Sequence, residues 1–156
     1  MAATSGLTTD QNKELARQYL EAIENHTDGH IDTLEELVAD DVVNHTPASS
    51  DELTPGEQRG IDAFRTHAES VTHAFPDVSF DIHDMLAEDD RVMVRFDLMG
   101  THDGPFMGVE ATGKEVTMSG IVVYRFEDGK IVERWSEADL VGVLQQIGAM
   151  PEATGT

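Results

Sequence analysis

Tyr124-Arg125-Phe126-Glu127-Asp128-Gly129-Lys130-Ile131-Val132-Glu133-Arg134-Trp135 decides the fold. Asp-Gly stands between two runs rich in β-branched and aromatic residues, and a two-residue hairpin turn needs positive φ, which Gly adopts freely and Asp tolerates. The stretch predicts two antiparallel strands, Glu115 to Glu127 and Lys130 to Glu137. Upstream, Val78, Phe80 and Ile82 alternate with Ser79, Asp81 and His83, a period of two that predicts another strand. Glu88-Asp89-Asp90 turns the chain, and Arg91 to Gly100 returns. Downstream, Leu140, Val143, Leu144 and Ile147 predict a closing helix before Gly148 and Pro151, with residues 151 to 156 as a frayed tail.

The first half of the chain has a different period. Thr8 and Gln11 have capping-box spacing, and Leu15, Tyr19, Leu20 and Ile23 follow as an apolar stripe with Glu14, Glu21 and Glu24 outside it. Asn25 to His30 reads as a loop. Ile31, Leu34, Leu37 and Val38 predict a short helix ended by Asp40-Asp41, and Val42 to His45 a short extended piece stopped by Pro47. Ala48 to Gly60 reads as a long polar loop. Ile61, Phe64, Ala68, Val71 and Phe75 predict a third helix ending before Pro76. Helices followed by a strand meander predict an α+β fold, with helices on one face of an antiparallel sheet. The length predicts a single domain over 1–156, with an ordered core from residue 8 to about 150.

Thirty-one acidic residues face ten basic ones, a net charge of −21. Phosphate recognition needs clusters of Lys and Arg, and none occurs, so nucleic acid is not an expected partner. No apolar run approaches the length of a membrane span. Residues 1 to 6 lack the basic start and apolar core of a signal peptide, which makes the cytoplasm the expected location. The absence of cysteine excludes disulfides, thiolate metal sites and a Cys nucleophile. So acidic a chain, with lysine only at Lys13, Lys114 and Lys130, looks like a protein adapted to high salt.

Thr101-His102-Asp103-Gly104-Pro105-Phe106-Met107-Gly108, the Tyr-Arg-Phe hairpin and the following Ser136-Glu137-Ala138-Asp139-Leu140 together resemble the SnoaL-like polyketide cyclase family of the nuclear-transport-factor-2-like superfamily. The resemblance covers roughly residues 10 to 150. It implies a curved antiparallel sheet wrapped by helices into a cone, and acid–base chemistry without a cofactor on a small hydrophobic carbonyl compound. A homodimer or higher homo-oligomer, paired through an apolar sheet face, is also expected.

Asp139 lies where the resemblance implies the general acid/base. A desolvated carboxylate has its pKa raised and can exchange protons near neutral pH, but Asp is also a preferred N-cap for the helix that begins at Leu140. His102, in the family's Thr-His-x-Gly-x-Phe-x-Gly pattern, could pass a proton to substrate or hold its own loop. His45 resembles a family element at the cavity mouth. Arg95 either enters the pocket or occupies the outer face of its strand. Phe64, Phe106, Met107, Met118, Tyr124 and Trp135 are candidates to line an apolar pocket, with core packing as the alternative for each. No metal site is read, since neither His26 with His30 nor His67 with His73 has usable spacing. Two functions stay open, an enzyme and a non-catalytic small-molecule-binding module. Convergence of Asp139, His102, Arg95 and His45 on one cavity would favour the enzyme.

The charge excess makes stability depend on salt. Lowering KCl from molar to tens of millimolar stretches the screening length from about 3 Å to roughly 30 Å at the dilute end. The melting temperature should fall over that series, and a flat thermal-shift profile would remove the salt-adaptation reading.

Overall fold

A computed structural model describes residues 7–28, 33–46 and 56–150. Ile31, Pro47, the first part of the expected polar loop and the tail lie outside the described residues. Helix α1 (Thr9–Glu24) starts on the expected capping box: Gln11 N donates to Thr8 Oγ1 at 3.1 Å, and Thr8 N donates to Gln11 Oε1 at 2.8 Å. A short 3-10 turn (His26–Asp28) follows. Then come α2 (Leu34–Leu37), β1 (Val38–Thr46), β2 (Gly56–Arg59), α3 (Ile61–Ala74), β3 (Ser79–Glu88), β4 (Arg91–Thr101), β5 (Glu115–Glu127), β6 (Lys130–Ala138) and α4 (Leu140–Gln146).

The six strands form one curved sheet in the order β2-β1-β6-β5-β4-β3. All neighbours are antiparallel except β1 and β6, which run parallel. The expected α+β arrangement is present, with one parallel junction in place of a wholly antiparallel sheet.

Two local expectations are corrected. Val38, Asp40 and Asp41 belong to a strand, not to a helix and its end. Val38 is fully buried and pairs with Ile131, and the two aspartates fall in an irregular stretch before pairing resumes at Val43. Sheet pairing here outweighs the helical spacing of Ile31, Leu34 and Leu37. Gly56 to Arg59, expected in a loop, is a polar edge strand whose sole neighbour in the sheet is β1, so it shows no apolar alternation to read.

The hairpin behaves as the sequence expects: Asp128 and Gly129 have φ of 51° and 80°. Val92, Val94, Phe96 and Leu98 of β4, and Val116, Val122, Tyr124 and Phe126 of β5, face the helices and form the core with Tyr19, Leu20, Phe64 and Phe75.

The loop after β4 is pinned at both ends. Asp103 N and Gly104 N each donate to Ala74 O at 3.1 Å, docking the loop on the end of α3. Phe106 and Val109 exchange both backbone hydrogen bonds at 2.9 Å around a turn with Met107 and Gly108 at positive φ. A Cβ on Gly104 would overlap the carbonyl oxygen of His73, so the chain passes too close for any side chain. Gly104→Ala is therefore expected to destabilise by about 1–3 kcal/mol, the usual cost of overpacking against atoms that cannot retreat. A urea midpoint unchanged by the substitution would contradict this close approach.

Candidate active site

Between the concave face of the sheet and the helices lies a mainly apolar cavity of about 100 Å³, roughly the scale at which a protein void takes one aromatic ring. Leu20, Ile23, Phe80, Phe96, Leu98, Phe106, Met107 and Met118 supply much of its wall. Its polar residues come from five elements: Tyr19 of α1, Thr46 of β1, His67 and Ser70 of α3, Tyr124 of β5, and Arg134, Ser136 and the exposed Glu137 of β6. A few polar groups in an otherwise apolar concavity is the usual composition of a small-molecule site.

Arg134 sits at the centre of this set. It pairs across the sheet with Tyr124 on one side and Asn44 on the other. Its Nη1 donates to Asn44 Oδ1 at 3.0 Å and to Ser136 Oγ at 3.3 Å. Asn44 is itself oriented by donating from Nδ2 to Gln58 Oε1 at 3.0 Å, so the edge strand β2 positions the guanidinium through one intermediary. Arg134 Nε, Tyr124 Oη and Thr46 Oγ1 are buried and make no hydrogen bond of full geometry, although the Arg134 guanidinium lies close enough to the Tyr124 hydroxyl to act on it as a donor. Buried polar groups are nearly always satisfied, so several orphans at one end of a cavity point to a missing partner.

The electrostatics follow from burial and this one cation. His67 is pushed down to about 3 from its ordinary 6.5, by desolvation first and by the Arg134 charge second, so it is a neutral imidazole. Burial pushes the Tyr124 phenol well above its usual range against the opposing pull of Arg134, and Tyr19 is raised for the same reason. Both phenols are therefore protonated donors at neutral pH.

Of the residues named from sequence, Phe106, Met118 and Tyr124 line the cavity, as does Met107. Phe64 lies in the core behind it, edge-on to Tyr19 with ring centroids 5.7 Å apart. His45, Arg95 and Trp135 lie on the opposite face of the sheet. Arg95 is exposed and bonds Asp84 at 2.6 Å. His45 stacks on Trp135 at 5.4 Å and contacts Glu133 Oε2 through Nε2 at 2.8 Å, while Arg91 covers the same indole at 5.1 Å. Burial works to raise the Glu133 carboxyl, but hydrogen bonds from His45 and Arg125 outweigh it and hold the group below its ordinary range.

His102 is fully buried, yet not among the residues lining the cavity. Its Nδ1 lies 2.9 Å from Thr112 Oγ1, its backbone NH and carbonyl tie Lys114, Thr112 and Gly113, and its Nε2 has no partner. Asp139 is exposed and caps α4, accepting from Gly142 N at 2.9 Å, while its neighbours Ala138 and Leu140 line the cavity. Asp139, His102, Arg95 and His45 thus do not converge. A different polar set does.

A family model for SnoaL-like polyketide cyclases matches residues 13–147. This chain belongs to the SnoaL-like polyketide cyclase family. Among solved structures it is similar to IdmH, a proposed polyketide cyclase from Streptomyces antibioticus, with 32% identity and a TM-score of 0.73 over 88% of this chain and 99% of that one. It is similar to AclR, a proposed hydroxylase from Streptomyces galilaeus, with 28% identity and a TM-score of 0.76 over 94% and 86% of the two chains. A SnoaL-like protein from Jannaschia sp. CCS1 shares the fold, with a TM-score of 0.81 at 24% identity over 94% and 97% of the chains. No functionally curated protein matches the sequence.

Family members that share this scaffold are thus named for different reactions, which puts the weight on the cavity's own residues. His67 and Arg134 were not singled out as site residues from the sequence. The signal for His67 was its i+3 spacing from Phe64 on the apolar face of α3. Arg134 gave none, because a bulge decides its direction. Among the described residues, Asp81, His83 and Asp97 bring ligand atoms within 4.8 Å of one another, on the outer face and outside the cavity, with His83 Nε2 3.0 Å from Asp97. No described helix is long and apolar enough to cross a membrane.

The depressed His67 has a stability consequence. Between pH 6.5 and about 3 the unfolded chain binds a proton at His67 that the native state refuses. Stability present above pH 6.5 is therefore lost as pH falls through that window. His67→Gln should remove about 1–2 kcal/mol of the loss seen between neutral and mildly acid pH. Parallel urea titrations of both proteins measure this, and superimposable pH profiles would show that His67 is not held neutral.

Proposed function

We propose that this SnoaL-like protein is a cofactor-independent acid–base enzyme acting on a small hydrophobic carbonyl compound, by an aldol-type ring closure or an isomerisation. The observation that carries the reading is the meeting of a neutral imidazole, a protonated phenol and a guanidinium at one end of an apolar cavity. A carbonyl oxygen placed there accepts from the Tyr124 hydroxyl with the Arg134 charge beside it. His67 then removes a proton from the adjacent carbon and returns it to the product. Negative charge developing on the enolate oxygen is stabilised by donors already oriented in a water-poor site.

The same charge answers the objection that His67 is too weak a base at rest. Its proton affinity is lowered partly by Arg134. An enolate beside the guanidinium offsets that repulsion and favours the imidazolium when it is needed. In this reading Asp139 supports the site by capping α4, which brings Leu140 to the cavity wall, and His102 by holding the loop that carries Phe106. The homodimer and salt adaptation expected from sequence belong to the proposal. Ile121 and Leu86, both exposed, sit on the outer face where a second copy would pair.

Exchange of α-protons for deuterium in aryl methyl ketones, followed by NMR, tests the chemistry. His67→Gln is expected to lower the exchange rate by about 10²–10⁴-fold. Asp139→Asn should stay within about twofold of the parent, because Asn caps as well as Asp. If Asp139 were the base, the two results would be reversed. Ketone binding without any exchange would favour the binding-module reading.

A further inference from the structure

We propose that the natural ligand of the cavity is an aromatic keto acid, with its carboxylate against Arg134 and its ring along Phe96, Phe106 and Met118. The inference rests on the reading of the cavity as a ligand site and adds the charge that the ligand must carry.

The chain is very acidic, and its surface arginines are readily neutralised. Arg17, Arg59, Arg65, Arg95 and Arg125 each pair with a carboxylate, and Arg91 lies over Trp135. Arg134 differs. Its hydrogen bonds go to the neutral Asn44 and Ser136, and among the described residues no carboxylate stands within ion-pair distance. A guanidinium on an apolar cavity wall without a counter-charge is costly, and an anion that completes the pair recovers much of that cost.

The remaining orphans specify the same chemistry. A guanidinium offers donors and no acceptor, and a hydroxyl can always donate. Arg134 Nε, Tyr124 Oη and Thr46 Oγ1 are thus all available to a ligand made of acceptors. Planar carboxylates suit the fork of Arg better than any other common group. With the carboxylate on Arg134, the two hydroxyls stay free for a neighbouring carbonyl oxygen. Cavity size limits the apolar part to about one ring. In the empty cavity His67 is neutral, so the Arg134 guanidinium is the positive charge that an entering carboxylate meets.

Calorimetry with benzoate, methyl benzoate and benzamide, near neutral pH and in molar KCl, separates the possibilities. Wild-type protein should bind benzoate about tenfold or more tightly than either neutral analogue, since a site built for an ion rejects isosteres that leave it unpaired. Arg134→Gln should close that gap, and Arg134→Lys should keep part of it. Equal affinities in the wild type would overturn the proposal, as would a preference for benzoate that persists in a folded Arg134→Gln. Binding of methyl benzoate with chemical-shift changes at Met118 and no preference for benzoate defeats the anion proposal alone. Failure of all three compounds to bind defeats the ligand-site reading with it. The wild-type comparison needs no variant, so a misfolded Arg134→Gln leaves the proposal exposed to refutation.

Discussion

One unpaired residue in β6 governs which side chains meet inside the sheet. Phe126 pairs with Ile131, but Arg125 pairs with Glu133 and Tyr124 with Arg134, so Val132 is left without a partner. Strand side chains alternate faces strictly, and a single extra residue exchanges the two sets beyond it. Up to Ile131 the odd positions of β6 face the core. Past the bulge the even positions do, and Arg134 enters the cavity while Glu133 and Trp135 leave it. The site, the outer aromatic cluster and the charge balance of both faces depend on that shift.

The consequence is a cation that makes no ion pair among the described residues, in a protein that has anions in excess. Outside, the guanidiniums of β4 and β5 reach carboxylates on neighbouring strands, as Arg95 does with Asp84 and Arg125 with Glu133. Inside, the walls come from apolar residues of α1, α3, β4 and β5, and Arg134 is held by neutral groups only as far as its Nη1. Its charge then helps set the state of what surrounds it. Burial first and this charge second keep the imidazole of His67 unprotonated, and the charge opposes the burial that raises Tyr19 and Tyr124. In the proposed reading, one residue supplies both the anchor for a ligand and part of the electrostatic tuning of the groups that act on it.

Residues that look chemical in the sequence serve largely as scaffolding. The Thr-His-Asp-Gly-Pro-Phe-Met-Gly loop puts Phe106 and Met107 into the cavity wall: Gly104 allows contact with the end of α3, Gly108 completes a turn, and buried His102 ties both strands of the loop. Asp139 terminates β6 and starts α4. A motif can recur because a backbone path requires it, and the geometry here supplies such a reason for each of these residues.

The order of helices and strands was legible in the sequence because each element carries a local signal. Thr8 and Gln11 mark the start of α1, the stripe of Phe64, Ala68 and Val71 marks α3, and Asp128-Gly129 forces the hairpin whatever its surroundings. Phe106, Met118 and Tyr124 were legible as candidates because they are large apolar or aromatic side chains near the hairpin, while the inward face of β4 stayed open. The polar centre was not legible. Trp135 was a pocket candidate as a large aromatic residue, and strand parity left the face of Arg95 open. The bulge at Val132 turns Trp135 outward, and the pairing of Arg95 with Ile121 and Asp84 settles its exposed face. The parallel partnership of β1 with β6 joins residues about ninety positions apart, and the polar edge strand β2 carries no apolar alternation to read. Local chemistry determined which elements form. Only tertiary pairing decided which face each charge occupies, because register depends on contacts between strands and not on the residues of one strand alone.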